Sequence, residues 1–320
     1  MAARAGVSKS LVSLVLQGSP RVSEERRRAV LRAVEDLGYR PDPAARSLAE
    51  RRTRTVGLVV DDLRNPWFVD LLDGLRPVLA AADLRPVLAD SHREPDAART
   101  LALLRVDGLV VVGTPSDPAA VDEVAASVPT VLAGTREVVT APADLVADDG
   151  EAGVAAAVDH LLALGHRHLG HVAGSGAVGR LRRDAFTARV RAAGARADVV
   201  EADMTEEAGY RAGRELLARA ERPTAVLAAN DLSAVGVLAA ADAAGLSVPG
   251  DVSVAGYDDT SLARLRAVSL TSVDNAARTV GALAGELLLA RTADPARPSS
   301  TRLVPPRLVV RRSTAPPPAR

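Results

Sequence analysis

Near the N-terminus, apolar positions recur at helical spacing and are separated by polar or glycine breaks. Val12, Val15 and Leu16 fall on one side of a predicted helix, while Lys9, Ser10 and Ser13 put polar groups on the other. Gly6 permits the positive φ of a tight interhelical turn, and Ser8 stands where an N-cap is needed. In a further predicted helix, Ser23 is the cap and Glu24 and Glu25 complement the positive end. Val30, Val34 and Leu37 line one face of it, and Gly38 lies just past its end. This is the pattern of a helix-turn-helix, a device for reading DNA, covering residues 1–40. Residues 41–54 follow as a hinge and linker, in which Pro43 suits the first turn of a short helix running to Glu50. That helix is well under the roughly 12–15 residues at which isolated helices become marginal in water, so it is expected to fold conditionally. Carrying Arg46 and Leu48, it could order in a DNA minor groove with Leu48 wedged between base pairs.

From Thr55 onward the pattern changes to short apolar runs alternating with helical stretches. Strands are predicted over residues 56–60, 85–89, 109–112, 130–133, 169–173, 199–201, 225–228 and 252–256. Helices are predicted over 67–82, 97–104, 119–126, 151–164, 181–193, 206–220, 232–244 and 277–291. Strands made almost wholly of Val, Leu and Ala, each followed by a helix, imply parallel sheets covered on both faces. The units fall into two similar sets on either side of Asp148, which predicts two lobes.

Composition narrows the class. The 320-residue chain contains no cysteine, which excludes disulfides, thiolate metal sites and a cysteine nucleophile. No apolar run reaches about 18 residues and no signal-peptide core opens the chain, so a soluble, cytoplasmic protein without a membrane partner is expected. The net charge of zero hides an asymmetry: residues 1–55 carry 12 basic and 6 acidic residues, whereas the remainder carries 28 basic and 34 acidic. A basic head on an acidic body suits a polyanion-binding module joined to a domain with another task.

Ligands of such folds sit at the carboxyl ends of the strands. There the chain places Asp61, Asn65-Pro66-Trp67-Phe68, Gly113-Thr114, Gly134-Thr135, Asp148-Asp149, Arg180, Arg182, Asn230-Asp231 and Tyr257-Asp258-Asp259. Only six residues of the chain are aromatic, so adjacent Trp67 and Phe68 in a strand-end loop stand out, although both could simply begin an amphipathic helix. Aromatic faces stack on sugar or base rings, while Arg, Asn and Asp hold hydroxyl or carbonyl groups.

Two other patterns compete for a role. Gly174-Ser175-Gly176-Ala177-Val178-Gly179 matches a dinucleotide-binding fingerprint after a strand and before a helix, which keeps an NAD-dependent oxidoreductase open. Its position in mid-chain and the crowding by Arg180 and Arg182 argue for a glycine loop in front of a ligand-binding helix instead. His160, His166, His168 and His171 cluster but lack the spacing of a metal site, and no catalytic triad or cofactor site can be assembled, so neither an enzyme nor a cofactor is expected.

The chain resembles bacterial transcription regulators of the lactose-repressor (LacI/GalR) family along nearly its whole length. The resemblance rests on Ala5-Gly6-Val7-Ser8, Arg21-Val22-Ser23-Glu24, Leu37-Gly38-Tyr39-Arg40-Pro41, Ala45-Arg46-Ser47-Leu48, Asn65-Pro66-Trp67-Phe68, Ala229-Asn230-Asp231 and Gly256-Tyr257-Asp258-Asp259. It implies a small all-α helix-turn-helix head and hinge helix joined to an α/β periplasmic-binding-protein-like body of two doubly wound parallel-sheet lobes. It also implies a homodimer on a palindromic operator, a small-molecule effector between the lobes, and a nucleoid-associated repressor. Carried over by position, Ser8, Lys9, Ser10, Ser13 and Leu14 with the hinge residues Arg46 and Leu48 meet DNA, while Trp67, Phe68, Arg180, Arg182, Asn230 and Asp258 contact the effector. The composition of that set favours a polyhydroxylated ring, a sugar or sugar derivative, with purines and other metabolites compatible. Lobe crossings are expected near Asp148, Asp274 and Asp294, giving lobe 1 as about 55–147 and 275–293, lobe 2 as about 148–274 and 294–312, and a disordered tail over 313–320.

Two departures from the family stand out. The first helix of the head is cut to about one turn, which raises the expectation of a translation start upstream of Met1, or of a sugar sensor with an impaired head. Leu14 occupies a position where arginine is common and Leu11 lies near it, so less hydrogen bonding to guanine and more contact with thymine methyls is expected.

Overall fold

The computed structural model describes residues 1–16, 19–38, 52–135 and 140–318. The chain divides into two units, Met1–Thr53 and Arg54–Arg320. Arg46, Leu48 and the predicted hinge helix lie outside the described residues.

In the first unit, α1 (Ala2–Ala5), α2 (Lys9–Leu16) and α3 (Glu24–Asp36) enclose a small core of Val12, Val15, Val22 and Val30. Gly6 ends α1 in the left-handed conformation at φ 65°, the backbone that its place in the motif requires. Ser8 caps α2, its hydroxyl accepting the Leu11 amide at 3.2 Å. Ser23 occupies the N-cap of α3 in extended backbone, but its hydroxyl accepts no bond from the first turn. Leu37 does not share the buried face of α3: it is exposed, and Ala33 is buried beside Val30.

The second unit contains two parallel sheets. In lobe 1 the strands β1 (Thr55–Val60), β2 (Arg85–Asp90), β3 (Gly108–Val112), β4 (Thr130–Ala133), β5 (Ala143–Asp148) and β11 (Thr301–Val304) lie in the order β11-β5-β4-β3-β1-β2. In lobe 2 the strands β6 (His168–Ala173), β7 (Arg196–Glu201), β8 (Ala225–Ala228), β9 (Ser253–Tyr257), β10 (Thr271–Asp274) and β12 (Arg307–Val309) lie in the order β12-β10-β9-β8-β6-β7, with only β12 antiparallel. Helices α4 (Trp67–Ala81) and α12 (Ala277–Ala293) bury Leu71, Leu75, Val280 and Leu288 against one face of the first sheet. Helices α5 (Ala97–Leu103) and α6 (Pro118–Ala125) cover its other face. The second sheet is covered likewise by α7 (Gly150–Ala163) and α8 (Gly176–Ala192) on one side and by α9 (Glu206–Leu217) and α10 (Asp231–Ala243) on the other. Strands buried on both faces explain the continuous apolar runs. A one-turn α11 (Ser261–Arg264) follows β9. Among the described residues, no helix is long and apolar enough to cross a membrane.

The chain passes between the lobes after Asp148, after Asp274 and between Val304 and Arg307. The third crossing corrects the expectation of Asp294. Residues 294–304 stay with lobe 1, because β11 adds to the edge of β5 with Thr301 opposite Leu145, and Asp144 anchors the approach to it. The fully buried Asp144 accepts from Arg291 at 2.7 Å, from the Ser300 amide at 2.9 Å and from the Ser300 hydroxyl at 2.6 Å. The expectation of a disordered tail is also corrected for its described residues, 313–318. Ser313 is buried and donates to the Val254 carbonyl at 2.6 Å, and the Ala315 carbonyl accepts from the Ser253 hydroxyl at 3.0 Å.

Candidate functional site

The carboxyl ends of both sheets face a cleft of about 200 Å³. Lobe 1 contributes Asp61, Trp67, Phe68 and Thr114, lobe 2 contributes Val178, Arg182, Met204 and Asp258, and Asn275 comes from the second crossing.

Local sequence determines how the aromatic pair is held. Asn65 turns the chain out of β1 and its side-chain oxygen accepts the Trp67 amide at 3.0 Å, starting α4. Trp67 and Phe68 then pack edge to face with centroids 5.1 Å apart. Both are mostly buried, at 7% and 4% exposed, so the packing and the ligand-facing readings hold together: each side chain belongs to the core and presents an edge to the cleft. Gly134, at φ 68°, is the floor under the indole, and a Cβ there would lie 2.2 Å from Trp67 Cη2.

A chain of hydrogen bonds links the two lobes. The Trp67 indole Nε1 donates to Asn275 Oδ1 at 2.9 Å, and Asn275 Nδ2 donates to Asp258 Oδ1 at 2.9 Å. Arg182 reaches the same carboxylate at 3.5 Å, donates to the Ala229 carbonyl at 2.6 Å, and lies 3.6 Å from the centroid of the Tyr257 ring. The Tyr257 hydroxyl donates to Asp148 at 2.5 Å, next to the first crossing. Burial raises the Asp258 carboxyl above its ordinary range, and the Arg182 guanidinium beside it pulls the other way. Arg182 Nε, buried, has no partner.

Asp61 sits at the end of β1, between β2 and β3. Its amide donates to the Val112 carbonyl at 3.1 Å, and its own carbonyl accepts the His92 amide at 3.1 Å. Burial, followed by the charge of Asp62, raises the Asp61 carboxyl to about 6, while Asp62 is held low by its hydrogen bonds to Arg64.

The expected effector residues Trp67, Phe68, Arg182 and Asp258 come together in the cleft, and Arg180 and Asn230 do not line it. Arg180 is exposed on α8. Asn230 is fully buried because its side chain is consumed by α10: its oxygen accepts the Ser233 amide at 2.9 Å, and its nitrogen donates to the Met204 carbonyl at 3.0 Å. It therefore holds the wall that carries Met204. Asn275 and Asp61 were not predicted as contacts. Asp61 stands in the strand-end set by its position after β1, whereas Asn275 follows β10, whose Thr271, Ser272 and Asp274 give it no apolar run to be read.

In the head, Ser8, Lys9, Ser10, Ser13 and Leu14 are all exposed. The Ser8 hydroxyl is occupied in capping and lies 3.0 Å from that of Ser10. The glycine loop packs against itself, since a Cβ at Gly179 would lie 1.9 Å from the Gly174 carbonyl oxygen, and Ser175 and Val178 from it line the cleft. The four clustered histidines are tied into the fold. His160 pairs with Thr314, His166 with Thr224 and the Ala315 carbonyl, and His168 with Asp198. His171 bonds the Leu227 carbonyl and stacks on Phe186. Among the described residues, no group of three or more His, Cys, Asp or Glu could hold a metal ion.

Two parallel-sheet lobes joined by three crossings over a polar and aromatic cleft, in a chain that opens with a helix-turn-helix, define a ligand-controlled DNA-binding regulator. Comparison with known proteins gives the family. Residues 1–42 match the model of bacterial regulatory proteins of the lacI family, and residues 158–314 match that of the periplasmic binding protein-like domain. The HTH-type transcriptional repressor PurR of Serratia proteamaculans (strain 568) is 32% identical over 326 residues, covering 98% of this chain and 96% of that protein. The lac repressor dimer bound to operator and the anti-inducer ONPF superposes with a TM-score of 0.86 at 27% identity, covering 98% of this chain and 97% of that one. A complex of the transcriptional regulator CelR with cellobiose gives a TM-score of 0.74 at 32% identity, with 98% of each chain covered. The chain belongs to the lacI family of transcriptional repressors, which bind DNA under the control of small-molecule effectors. Its relatives are regulators without a catalytic role, and the oxidoreductase reading of the glycine loop is accordingly dropped.

Proposed function

We propose that this repressor acts as a homodimer on a palindromic operator, in the cytoplasm at the bacterial nucleoid, and that its effector is a sugar or sugar derivative seated in the cleft. The observation that carries this reading is the bonded series Trp67–Asn275–Asp258–Arg182, which runs from lobe 1 through a crossing into lobe 2. A ring bearing several hydroxyls can exchange hydrogen bonds with Asn275 and Asp258 while its apolar edge meets Trp67 and Phe68. It thereby changes which relative lobe arrangement is favoured, by as much as its affinities for the two arrangements differ. The solved relative bound to cellobiose supports the sugar class.

On the DNA side, Lys9, Ser10, Ser13 and Leu14 form the reading surface of α2, with Ser8 at its cap, and Arg46 and Leu48 are the hinge contacts. Leu14, 39% exposed, gives this surface an apolar element suited to thymine methyls. The test is operator selection followed by titration at several salt concentrations, with and without a panel of sugars. A palindromic site, a steep loss of affinity with salt and a sugar that changes operator affinity are expected. Salt-insensitive binding would refute the DNA reading, and a head that selects no site would favour the sugar sensor without DNA function.

A further inference from the structure

We infer that the effector of this cleft carries no anionic group and donates a hydrogen bond to Asp61, which selects against phosphorylated ligands. The inference rests on the proposed effector site and specifies the charge class that this site accepts. The residues lining the cleft include five aspartates against two arginines and one histidine. Both guanidiniums already face a carboxylate, and only the buried Nε of Arg182 is left without a partner. Arg64 lies outside the core and is held by Asp62 at 2.6 Å, while Arg182 is committed to the Ala229 carbonyl and to Asp258. The cleft therefore offers mainly acceptors, and it calls for a ligand rich in hydroxyl or ammonium donors.

Asp61 is the acceptor best built for selection. It ends a strand flanked by two others, at the position in an open parallel sheet where ligands dock. Its main chain is bonded to β3 on one side and to His92 beyond β2 on the other, so the carboxylate is presented from a rigid frame. The Thr114 amide is its one hydrogen-bond donor among the groups acting on it. The charged groups facing it are Asp62, Asp90 and His92, with Arg64 already spent on Asp62. A phosphate brought here would lose water beside a second anion and gain no guanidinium, whereas a hydroxyl satisfies the carboxylate without charge. An ammonium would add Coulomb attraction. Because the Asp61 carboxyl titrates near 6, affinity for a donor ligand should fall as the pH drops below that value.

Trp67, the only tryptophan of the chain, lines the cleft and reports occupancy through its emission. The experiment titrates the full chain with matched pairs: glucose and glucose 6-phosphate, ribose and ribose 5-phosphate, inosine and inosine monophosphate, together with glucosamine and inorganic phosphate. Within any pair that binds, the phosphate-free member is expected to bind at least about tenfold tighter. Inorganic phosphate should give no saturable change. Asp61→Asn, with folding checked by circular dichroism and an unchanged urea midpoint, should weaken the phosphate-free ligand by about 10-fold to 100-fold. The same substitution should narrow the discrimination and remove the fall in affinity at low pH. A phosphorylated member that binds as tightly as its parent, saturable binding of inorganic phosphate, or an Asp61→Asn protein with unaltered affinity and selectivity would each overturn the inference. Silence of the whole panel would instead overturn the effector site itself, and the inference with it.

Discussion

The seat of Trp67 gives a quantitative prediction, because the chain contains an internal control for it. Gly134 and Gly194 both adopt left-handed backbone, at φ 68° and φ 64°. An alanine in that region costs about 1–2 kcal/mol at either position. At Gly194 nothing lies within 4 Å of the added carbon, so the backbone cost is the whole effect. At Gly134 the new Cβ would lie 2.2 Å from Trp67 Cη2 and 2.8 Å from Cζ2. Carbon atoms at rest stay about 3.5 Å apart, so the indole must retreat by about 1.3 Å. Overpacking of this kind costs about 1–3 kcal/mol, and loss of the indole hydrogen bond to Asn275 adds about 0.5–1.5 kcal/mol. Gly134→Ala should therefore be less stable than Gly194→Ala by about 1.5–4.5 kcal/mol. Urea denaturation followed by circular dichroism measures both, and Trp67 emission reads the displaced ring directly. Equal stabilities within about 0.5 kcal/mol, with unaltered emission, would refute the packing of Trp67 on Gly134 and the geometry of the cleft that depends on it.

Other expectations follow from the same contacts. Arg291→Met removes one of the two guanidiniums on the fully buried Asp144 carboxylate, leaving Arg297 at 3.2 Å and the two bonds from Ser300, and should cost about 1.5–3 kcal/mol in denaturation, with a loss below about 0.5 kcal/mol counting against the anchor. His171 is fully buried and burial lowers it to about 4, so the unfolded chain binds the extra proton between that value and its ordinary 6.5. Stability of the wild type relative to His171→Leu should accordingly rise with pH across this window, by about 3 kcal/mol in all, and a flat difference would refute the assignment. Asn275→Ala removes a partner from both Trp67 and Asp258 and should alter effector affinity while leaving the salt dependence of operator binding intact, as parallel titrations of each would reveal. Leu48→Ala should weaken specific operator binding much more than non-specific binding; equal losses on the two DNAs would exclude a minor-groove wedge.

How much of this was legible in the residues depended on the range of the interaction. Six of the eight strands read from the chain are buried on both faces, so their apolar runs state their role locally, while β2 and β7 at the sheet edges are only partly buried. The strands over 143–148, 271–274, 301–304 and 307–309 were missed, and several of these are short, lie at sheet edges or carry polar residues. Asp144 is one such residue, polar in sequence and buried only because Arg291 and Ser300 arrive from far along the chain. The same reason moved the third crossing from Asp294 to the Val304–Arg307 connection.

The cleft divides in the same way. Trp67, Phe68, Arg182 and Asp258 could be singled out because they follow strands, and parallel sheets bind ligands at those ends. Asn230 has the same sequence signal, but its side chain satisfies the open amides of its own helix, a local demand that outcompetes a ligand. Local periodicity, capping residues, strand-end chemistry and the basic head were enough to indicate a DNA-reading module on a two-lobed ligand-binding body, since each is set by neighbours in the chain. Only the tertiary structure decided that Asn275 joins Trp67 to Asp258 and that Asp61 is the rigidly framed acceptor of an acid-rich cleft. Those relations depend on strands remote in sequence meeting at one edge, which no local pattern encodes.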